Sequence, residues 1–370
     1  PFYSRKRHET LNIALNNFTT TGDGNVGKKF KFLEQYIDTS HISGKPILNV
    51  SAREIIATDY YRQNPERERK HIIGRNRNGI DDVFSSAEID GIFEEVFKDV
   101  DIFQDNISIF RSKFVSPLSR LGTGFYRYYI MDTVDIDGDK YIDLTFAPFN
   151  AESFGFTGHI YVAADSSFFI KAVDMTVPND INMNFVDYLN IKQSFNRLND
   201  GTRMLDNEKL ICELKIINST NGFYAHRNVS YADYKFVSDE KAEEILKSPT
   251  EVVEDDNSTR RSKEFWSENR ISEVSEKEQS VSSMMERLRA NPLYYWTEKC
   301  VSFLFTGWVP IRKVNPPLFY GPVNTTISHN GLEGWRLRTG AMTSAYLNPH
   351  IFGNFYVAYG FGDNKWKYMG

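Results

Sequence analysis

Cysteine is almost absent. Cys212 and Cys300 are far apart in a chain of 370 residues, so the sequence supports neither a disulfide framework nor a cysteine-based zinc site. Long apolar runs are missing as well. Stretches such as Cys300-Val301-Ser302-Phe303-Leu304-Phe305 fall far short of the roughly 20 residues a membrane-crossing helix needs. That excludes a spanning helix and leaves a membrane β-barrel open. Basic excess is lacking too: 44 Lys and Arg stand against 49 Asp and Glu, net −5, which argues against a nucleic-acid partner. Seven histidines are scattered, with no H-E-x-x-H pair, and no G-x-S-x-G elbow is present. His159 and His226 fall in strand-like runs and read as structural, and the carboxylates concentrate in turns and linker. The expectation is a non-enzyme with no catalytic residues, no cofactor and no metal.

Aromatic residues are plentiful: 14% of the chain, with 28 Phe and 20 Tyr, a composition that favours strands. With 41% hydrophobic and 25% charged residues the chain is a folded one, and its length suggests two or three domains. It opens Pro1-Phe2-Tyr3-Ser4-Arg5 and closes Lys367-Tyr368-Met369-Gly370, which reads as an internal piece of a longer protein.

Residues 1–103 are mixed in character. Leu33–Ile37 and Ala52–Ala57 are apolar runs of strand length, followed by a polar stretch rich in Arg and Asn. Across 85–100, Ile89, Ile92, Phe93, Val96 and Phe97 recur at helical spacing, with an N-cap near Ser85. Gly22-Asp23-Gly24-Asn25-Val26-Gly27-Lys28-Lys29 nearly fits a P-loop, but Lys29 occupies the hydroxyl position and the flanking βαβ context is missing. It reads as a glycine-rich loop.

From 104 to 236 strand-like runs alternate with turn signals. Asp137-Gly138 separates two of them in the manner of a hairpin, and the Asp-rich stretch around it fails as a calcium loop because Thr133 and Leu144 occupy the first and twelfth positions. The pattern describes an antiparallel meander of seven or eight strands, curved around the candidate helix. Two alternating apolar faces, Ile142, Leu144, Phe146 and Phe156, Ile160, Val162, either form its core or line an apolar half-barrel cavity for a lipid-like ligand. Residues 237–291 shift to 14 acidic against nine basic residues and two aromatics. Thr250–Ser262 reads as a solvated linker, and Glu273–Leu288 as an amphipathic helix. Residues 292–370 alternate again: Phe355, Val357, Tyr359 and Phe361 take one strand face, with Asn354, Tyr356, Ala358 and Gly360 on the other. Such strands suit a soluble sheet or a transmembrane barrel. The fold class is therefore mainly β with α.

Several blocks, taken in order, resemble an outer-membrane family of unknown function from Bacteroidetes-type bacteria. They are Ser116-Pro117-Leu118-Ser119 with Tyr126-Arg127-Tyr128 and the Asp137-Gly138 hairpin; Phe156–Val162, Val173-Asp174-Met175 and Ile181–Val186; and Gly321-Pro322, Asn330–Gly340 and Tyr359–Tyr368. The resemblance covers most of the chain from about residue 50. It implies a carboxypeptidase-regulatory-like sandwich ahead of this region, a periplasmic domain, and a C-terminal barrel whose opening resembles BamA-type surface antigens. The motif Glu333, Gly334, Arg336, Arg338, Gly340 matches that opening, with Arg336 and Arg338 toward the lumen and Trp335 and Leu337 toward lipid. The meander is similar in pattern to carriers of the LolA type. What this implies is the periplasmic part and truncated barrel of an outer-membrane protein, periplasmic up to about residue 318. Its role would be envelope assembly or transport, with outer-membrane lipid and other envelope proteins as partners. The alternative is a periplasmic module binding a lipid or lipoprotein.

Overall fold

The computed structural model describes residues 2–18, 30–40, 42–63, 66–79, 98–109, 112–178, 181, 186–198, 201–215, 222–238, 245, 247, 251–295, 308–312, 317–322, 326–331, 333–344, 346–348 and 351–370. The expected glycine-rich loop at 22–29 and all but the last three residues of the expected helix at 85–100 lie outside the described residues. Two compact units divide the chain, one formed by Pro1–Gly79 with Gly91–Met284, the other by Ile80–Asp90 with Met285–Gly370.

The first unit is built on one large sheet. Its first strands are β1 (Phe2–Asn16), β2 (Ile37–Thr39), β3 (Pro46–Gln63) and β4 (Glu66–Gly79). A small separate hairpin follows, β5 (Asn106–Ile109) with β6 (Ser112–Val115). The chain then runs through β7 (Tyr126–Ile136), β8 (Asp139–Pro148), β9 (Thr157–Ala163), β10 (Ile170–Thr176), β11 (Val186–Arg197), β12 (Arg203–Lys215) and β13 (Gly222–Phe236), and β14 (Val252–Glu254) closes one edge. The spatial order is β14-β4-β3-β1-β13-β12-β11-β10-β9-β8-β7, with β2 beside β3. Every pairing is antiparallel except β14 on β4. The meander expected from the sequence is thus present as β7–β13. It is extended by a second meander in which β1 docks beside β13, pairing Leu11 with Arg227 and Ile13 with Ala225.

Local chemistry sets the turns. Asp137 and Gly138 adopt φ of 58° and 91°, the left-handed values a tight hairpin needs, and Asp135 Oδ1 accepts the Gly138 N–H at 3.0 Å. The run around Leu33 forms a 3₁₀ turn, Lys31–Tyr36, instead of a strand. The Arg- and Asn-rich stretch before Asp81 is a full strand, β4, paired with β3 over its length. Thr250–Ser262 is likewise not a solvated linker throughout. Val252 and Val253 pair with Lys70 and His71, because the β4 edge offers unpaired backbone groups that a short extended segment satisfies.

The two sheet faces are covered differently. On one face the chain entering from 98 crosses toward β7, and the β5–β6 hairpin packs Ile107, Ile109 and Phe114 against Phe146, Phe156, Ile160, Val173 and Met175, all buried. Phe114 lies 5.0 Å from Phe156 and 5.3 Å from Phe154, ring to ring. Tyr126 bridges the layers by donating to Val115 O and accepting the Phe156 N–H at 3.1 Å. On the opposite face of β1, β3 and β4 lies the segment 262–279. Ser262 caps the helix Lys263–Asn269, whose Phe265 ring sits where a Cβ on Gly74 would come within 2.6 Å. Ser275 and Glu278 form a capping box for the short helix Glu276–Gln279, and Val281–Ala290 is helical beyond it.

The second unit holds a six-stranded antiparallel sheet: β15 (Val309–Pro310), β16 (Leu318–Tyr320), β17 (Ile327–Asn330), β18 (Gly334–Thr343), β19 (Asn354–Gly360) and β20 (Lys365–Met369). Leu337 pairs with Tyr359 and Tyr359 with Trp366, while Thr339, Val357 and Tyr368 form the next row. That face is open to solvent, with Trp366 at 68% and Tyr368 at 84% exposure. The alternate face carries the charges. Glu333 meets Lys367 and Arg336, Lys367 also meets Asp363, and the side chains of Arg336 and Lys367 are only 23% and 32% exposed. Arg338 stacks at 4.0 Å on Tyr356. No described helix is long and apolar enough to cross a membrane.

Candidate ligand cavity and its charged wall

Strand alternation places the odd-numbered residues of β1 on the face crossed by the chain at 98–104. There they meet the inward residues of β3, β4 and β11–β13 around a cavity of about 830 Å³, a volume suited to a lipid-sized ligand. Its two ends differ. Leu11, Val100, Phe103, Phe195 and Leu205 make an apolar end, where Phe103 and Phe195 meet edge to face at 5.4 Å and the Arg203 guanidinium lies 3.3 Å over Phe103. Burial lowers the Arg203 pKa. The other end is the wall of β1, β3 and β4, where Arg5, Asp59 and Lys70 form one cross-strand row and Glu9, Ile55 and Arg75 another.

Between the two ends lies a buried ionic cluster. Arg7 and Arg227 are 1% and 2% exposed. Arg7 donates to Glu9 at 2.7 and 3.0 Å, to both Asp99 oxygens at 2.8 Å and to Tyr231 Oη at 3.0 Å. Arg227 donates to Glu9 at 2.9 Å, to Glu208 at 2.7 Å and to Asp99. Gln193 then links Glu208 Oε2 to the carbonyl of Val100, at 2.5 and 2.7 Å. Asp99 and Val100 belong to the crossing segment, so the cluster ties that segment across four strands, β1, β13, β12 and β11. Burial alone would raise the Glu9 carboxyl, but Arg227 and Arg7 outweigh it and hold Glu9 down at about 2. Asp99 is held well below the usual carboxylate range by the same two cations against its own desolvation. Glu208 goes the other way: burial raises it against the pull of Arg227.

The six residues that the sequence offers as core or cavity lining come together around β8 and β9, where Phe146, Phe156 and Ile160 are core. Ile142 pairs with Val162 and Leu144 with Ile160 across β8 and β9. Phe146, Phe156 and Ile160 are fully buried against the β5–β6 hairpin, with Leu144 and Val162 packed at the margin. None of the six lines the 830 Å³ cavity. The sequence reading also passed over the cavity's charged residues. They sit on strands separated by up to about two hundred positions, and the one local signal is the Arg/Lys-rich run of β4.

A second polar network lies on the opposite face. His8 Nε2 is 2.9 Å from Glu54 Oε1, Ser272 Oγ is 3.1 Å from His8 Nδ1, and Arg270 donates to both Glu54 oxygens at 2.6 and 2.8 Å. The order Ser–His–Glu matches that of a hydrolase triad. However, His8 is fully buried, Glu54 is engaged by Arg270, and the Ile271 and Ser272 backbone N–H groups also point at Nδ1. The arrangement fastens residues 270–272 to the sheet. His159 stands elsewhere, with Nδ1 2.8 Å from Asp143 and 3.1 Å from Thr145. Among the described residues no group of three or more His, Cys, Asp or Glu side chains is placed to hold a metal ion.

Residues 21–232 match the model of a family of unknown function, DUF5686. The chain belongs to this family. A search of the curated proteins returns no match. Among solved structures, the DUF5686 chain is similar to a putative outer-membrane lipoprotein-sorting protein domain from Vibrio parahaemolyticus, at 10% identity, covering 66% of this chain and 92% of that one, with a TM-score of 0.23. It is also similar to a LolA-superfamily protein from Nitrosomonas europaea (9% identity, 64% and 89% coverage, TM-score 0.20). A third is the MucA/MucB complex of Pseudomonas aeruginosa (6% identity, 61% and 89% coverage, TM-score 0.16). With identities and scores this low, the function of the DUF5686 chain is argued from its own geometry.

Proposed function

We propose that the first unit is a non-enzymatic binding module that holds an amphipathic, lipid-like ligand. The observation that carries this is the two-ended cavity, with the aromatic pair Phe103 and Phe195 at one end and the charged wall of β1, β3 and β4 at the other. A ligand with an acyl chain and a polar head meets both ends at once; a purely apolar one leaves the buried donors Arg5 Nε and Arg75 Nε unmet. The test is displacement of an environment-sensitive fluorescent fatty acid from the full chain by palmitate. Saturable displacement that Leu205→Trp weakens at least tenfold, by filling the apolar end, supports the module. Absence of binding, or binding that Leu205→Trp leaves unchanged, overturns it.

A second reading concerns the other unit, and its sheet favours it. On β18–β20 the aromatic face is exposed while the charged face is partly covered, the reverse of a sheet in water and the pattern of barrel strands that meet lipid outside and an aqueous lumen inside. We infer that residues 318–370 open an outer-membrane β-barrel, with the binding module in the periplasm. In the intact gene product this predicts outer-membrane fractionation and a heat-dependent shift in gel mobility. A soluble periplasmic protein without such a shift refutes it.

A further inference from the structure

The cavity's charged wall is uneven in sign. Eight of its lining side chains are Lys or Arg against six Asp or Glu, in a chain whose net charge is −5. The acidic members are largely consumed: Glu9, Glu208 and Asp99 are occupied by Arg7 and Arg227. Three of the other lining cations, Arg5, Lys70 and Arg75, share one patch of β1, β3 and β4. Arg5, Asp59 and Lys70 stand in one row on adjacent strands, with Arg75 on the same face of β4, where one of its terminal nitrogens pairs with Glu254 at 2.9 Å. Arg5 Nε and Arg75 Nε are buried donors, and Asp59 Oδ1 a buried acceptor, with no hydrogen-bond partner. Lys70 makes no described side-chain hydrogen bond or ion pair. Buried polar groups are normally satisfied, so unmet groups on one cavity wall mark where a ligand's polar atoms sit.

We propose that this patch receives the anionic headgroup of the cavity's ligand, a phosphate or carboxylate held by Arg5, Lys70 and Arg75, with Asp59 accepting from a headgroup hydroxyl. The proposal rests on the binding-module reading and narrows it to anionic amphiphiles. Arg5 is pre-set for the role: its guanidinium is stacked 3.9 Å over the Tyr231 ring and 3.4 Å from Asp59 Oδ2, which leaves Nε as the free donor. A charge-assisted hydrogen bond in such a site is worth about tenfold or more in affinity.

The test uses the full chain and three probes sharing one acyl chain, below their micellar concentrations: palmitate, palmitoyl-lysophosphatidylglycerol and monopalmitoylglycerol. The two anions are expected to bind at least about tenfold more tightly than the neutral glycerol ester, with the difference shrinking in high salt. Lys70→Gln with Arg75→Gln is expected to remove most of that difference while monopalmitoylglycerol still binds saturably, which also reports an intact cavity. Should the double variant unfold, Lys70→Gln alone serves, since that side chain makes no described hydrogen bond or ion pair. A preference for the lysophospholipid over palmitate identifies a phosphate-polyol head; equal affinity identifies a simple carboxylate. Equal binding of all three probes overturns the anionic headgroup and leaves the binding module standing. Failure of all three to bind overturns the module itself.

Discussion

Replacing Arg227 with methionine tests whether the ionic cluster holds the crossing segment on the sheet. Methionine fills similar volume but withdraws hydrogen bonds from Glu9, Glu208 and Asp99 together, leaving Arg7 to face three carboxylates. Breaking a buried ion pair by removing one partner costs roughly 3–5 kcal/mol, because the stranded charge stays desolvated. Asp99 keeps half of its side-chain surface in water, so solvent screens part of the loss and about 3 kcal/mol is expected. That corresponds to a fall of about 6–12 °C in Tm. Calorimetry at pH 7 and pH 5 provides the assay. Without Arg227 the carboxylates repel, so their protonation relieves the variant and the deficit shrinks at pH 5. Combining Arg227→Met with Glu208→Gln removes one stranded charge and should recover part of the loss. A deficit below about 1 kcal/mol, or one that does not change with pH, would refute the argument.

Wild-type stability should follow the same groups with the sign their shifts dictate. Glu9, held at about 2, and the lowered Asp99 contribute stability that is complete above their unfolded values and is lost as pH falls from about 4.5 toward 2. Glu208, raised by burial, opposes them above about pH 4.5. Equilibrium denaturation across that window checks it, and a flat profile contradicts it. Phe114→Ala empties the core beneath the β5–β6 hairpin and should cost about 3–5 kcal/mol in chemical denaturation. Gly74→Val drives a side chain into the Phe265 ring, so hydrogen exchange should quicken across Lys263–Asn269 while the face carrying Phe114 stays protected. Asp99→Asn weakens the tie of the crossing segment and should raise exchange at 98–104 more than in β7–β10.

Much of the fold could be read in the sequence because its signals are local. Asp137-Gly138 specifies a hairpin from two residues, and the aromatic and β-branched runs from 157 to 236 alternate with the period of strands, so the β7–β13 meander follows from them. β1 was missed because Phe2-Tyr3-Ser4-Arg5-Lys6-Arg7-His8-Glu9 alternates between two polar faces, one bearing the arginines and the other His8. Over residues 2–9 neither face shows the apolar stripe by which strands are found, and Leu11, Ile13 and Leu15 supply one only in the second half. β4 is hidden in the same way: its Arg and Lys side chains give no apolar stripe, and the partner of Arg75 is Glu254, far along the chain.

The candidate site was not legible in the sequence. The apolar faces Ile142, Leu144, Phe146 and Phe156, Ile160, Val162 suit either a core or an apolar cavity, and Phe146, Phe156 and Ile160 are core. Apolar residues at strand spacing report burial, and burial by a protein hairpin leaves the same pattern as burial by a ligand. The hairpin at 106–115 fills that end with Phe114, while the open end is lined by charges whose pairing depends on long-range register. His8, Glu54, Arg270 and Ser272 show the same limit, since no spacing rule joins residues on strands to a segment more than two hundred positions away.

The most direct measurement of the central claim is photo-crosslinking of the full chain with a fatty acid carrying a diazirine at its methyl end, followed by peptide mapping. A ligand lying head-to-wall in the cavity should label Val100–Phe103, Phe195 and Leu205, and excess unlabelled palmitate should suppress that labelling. Labelling confined to the exposed aromatic face of β18–β20, or spread without competition over the surface, would contradict a cavity that holds an amphiphile.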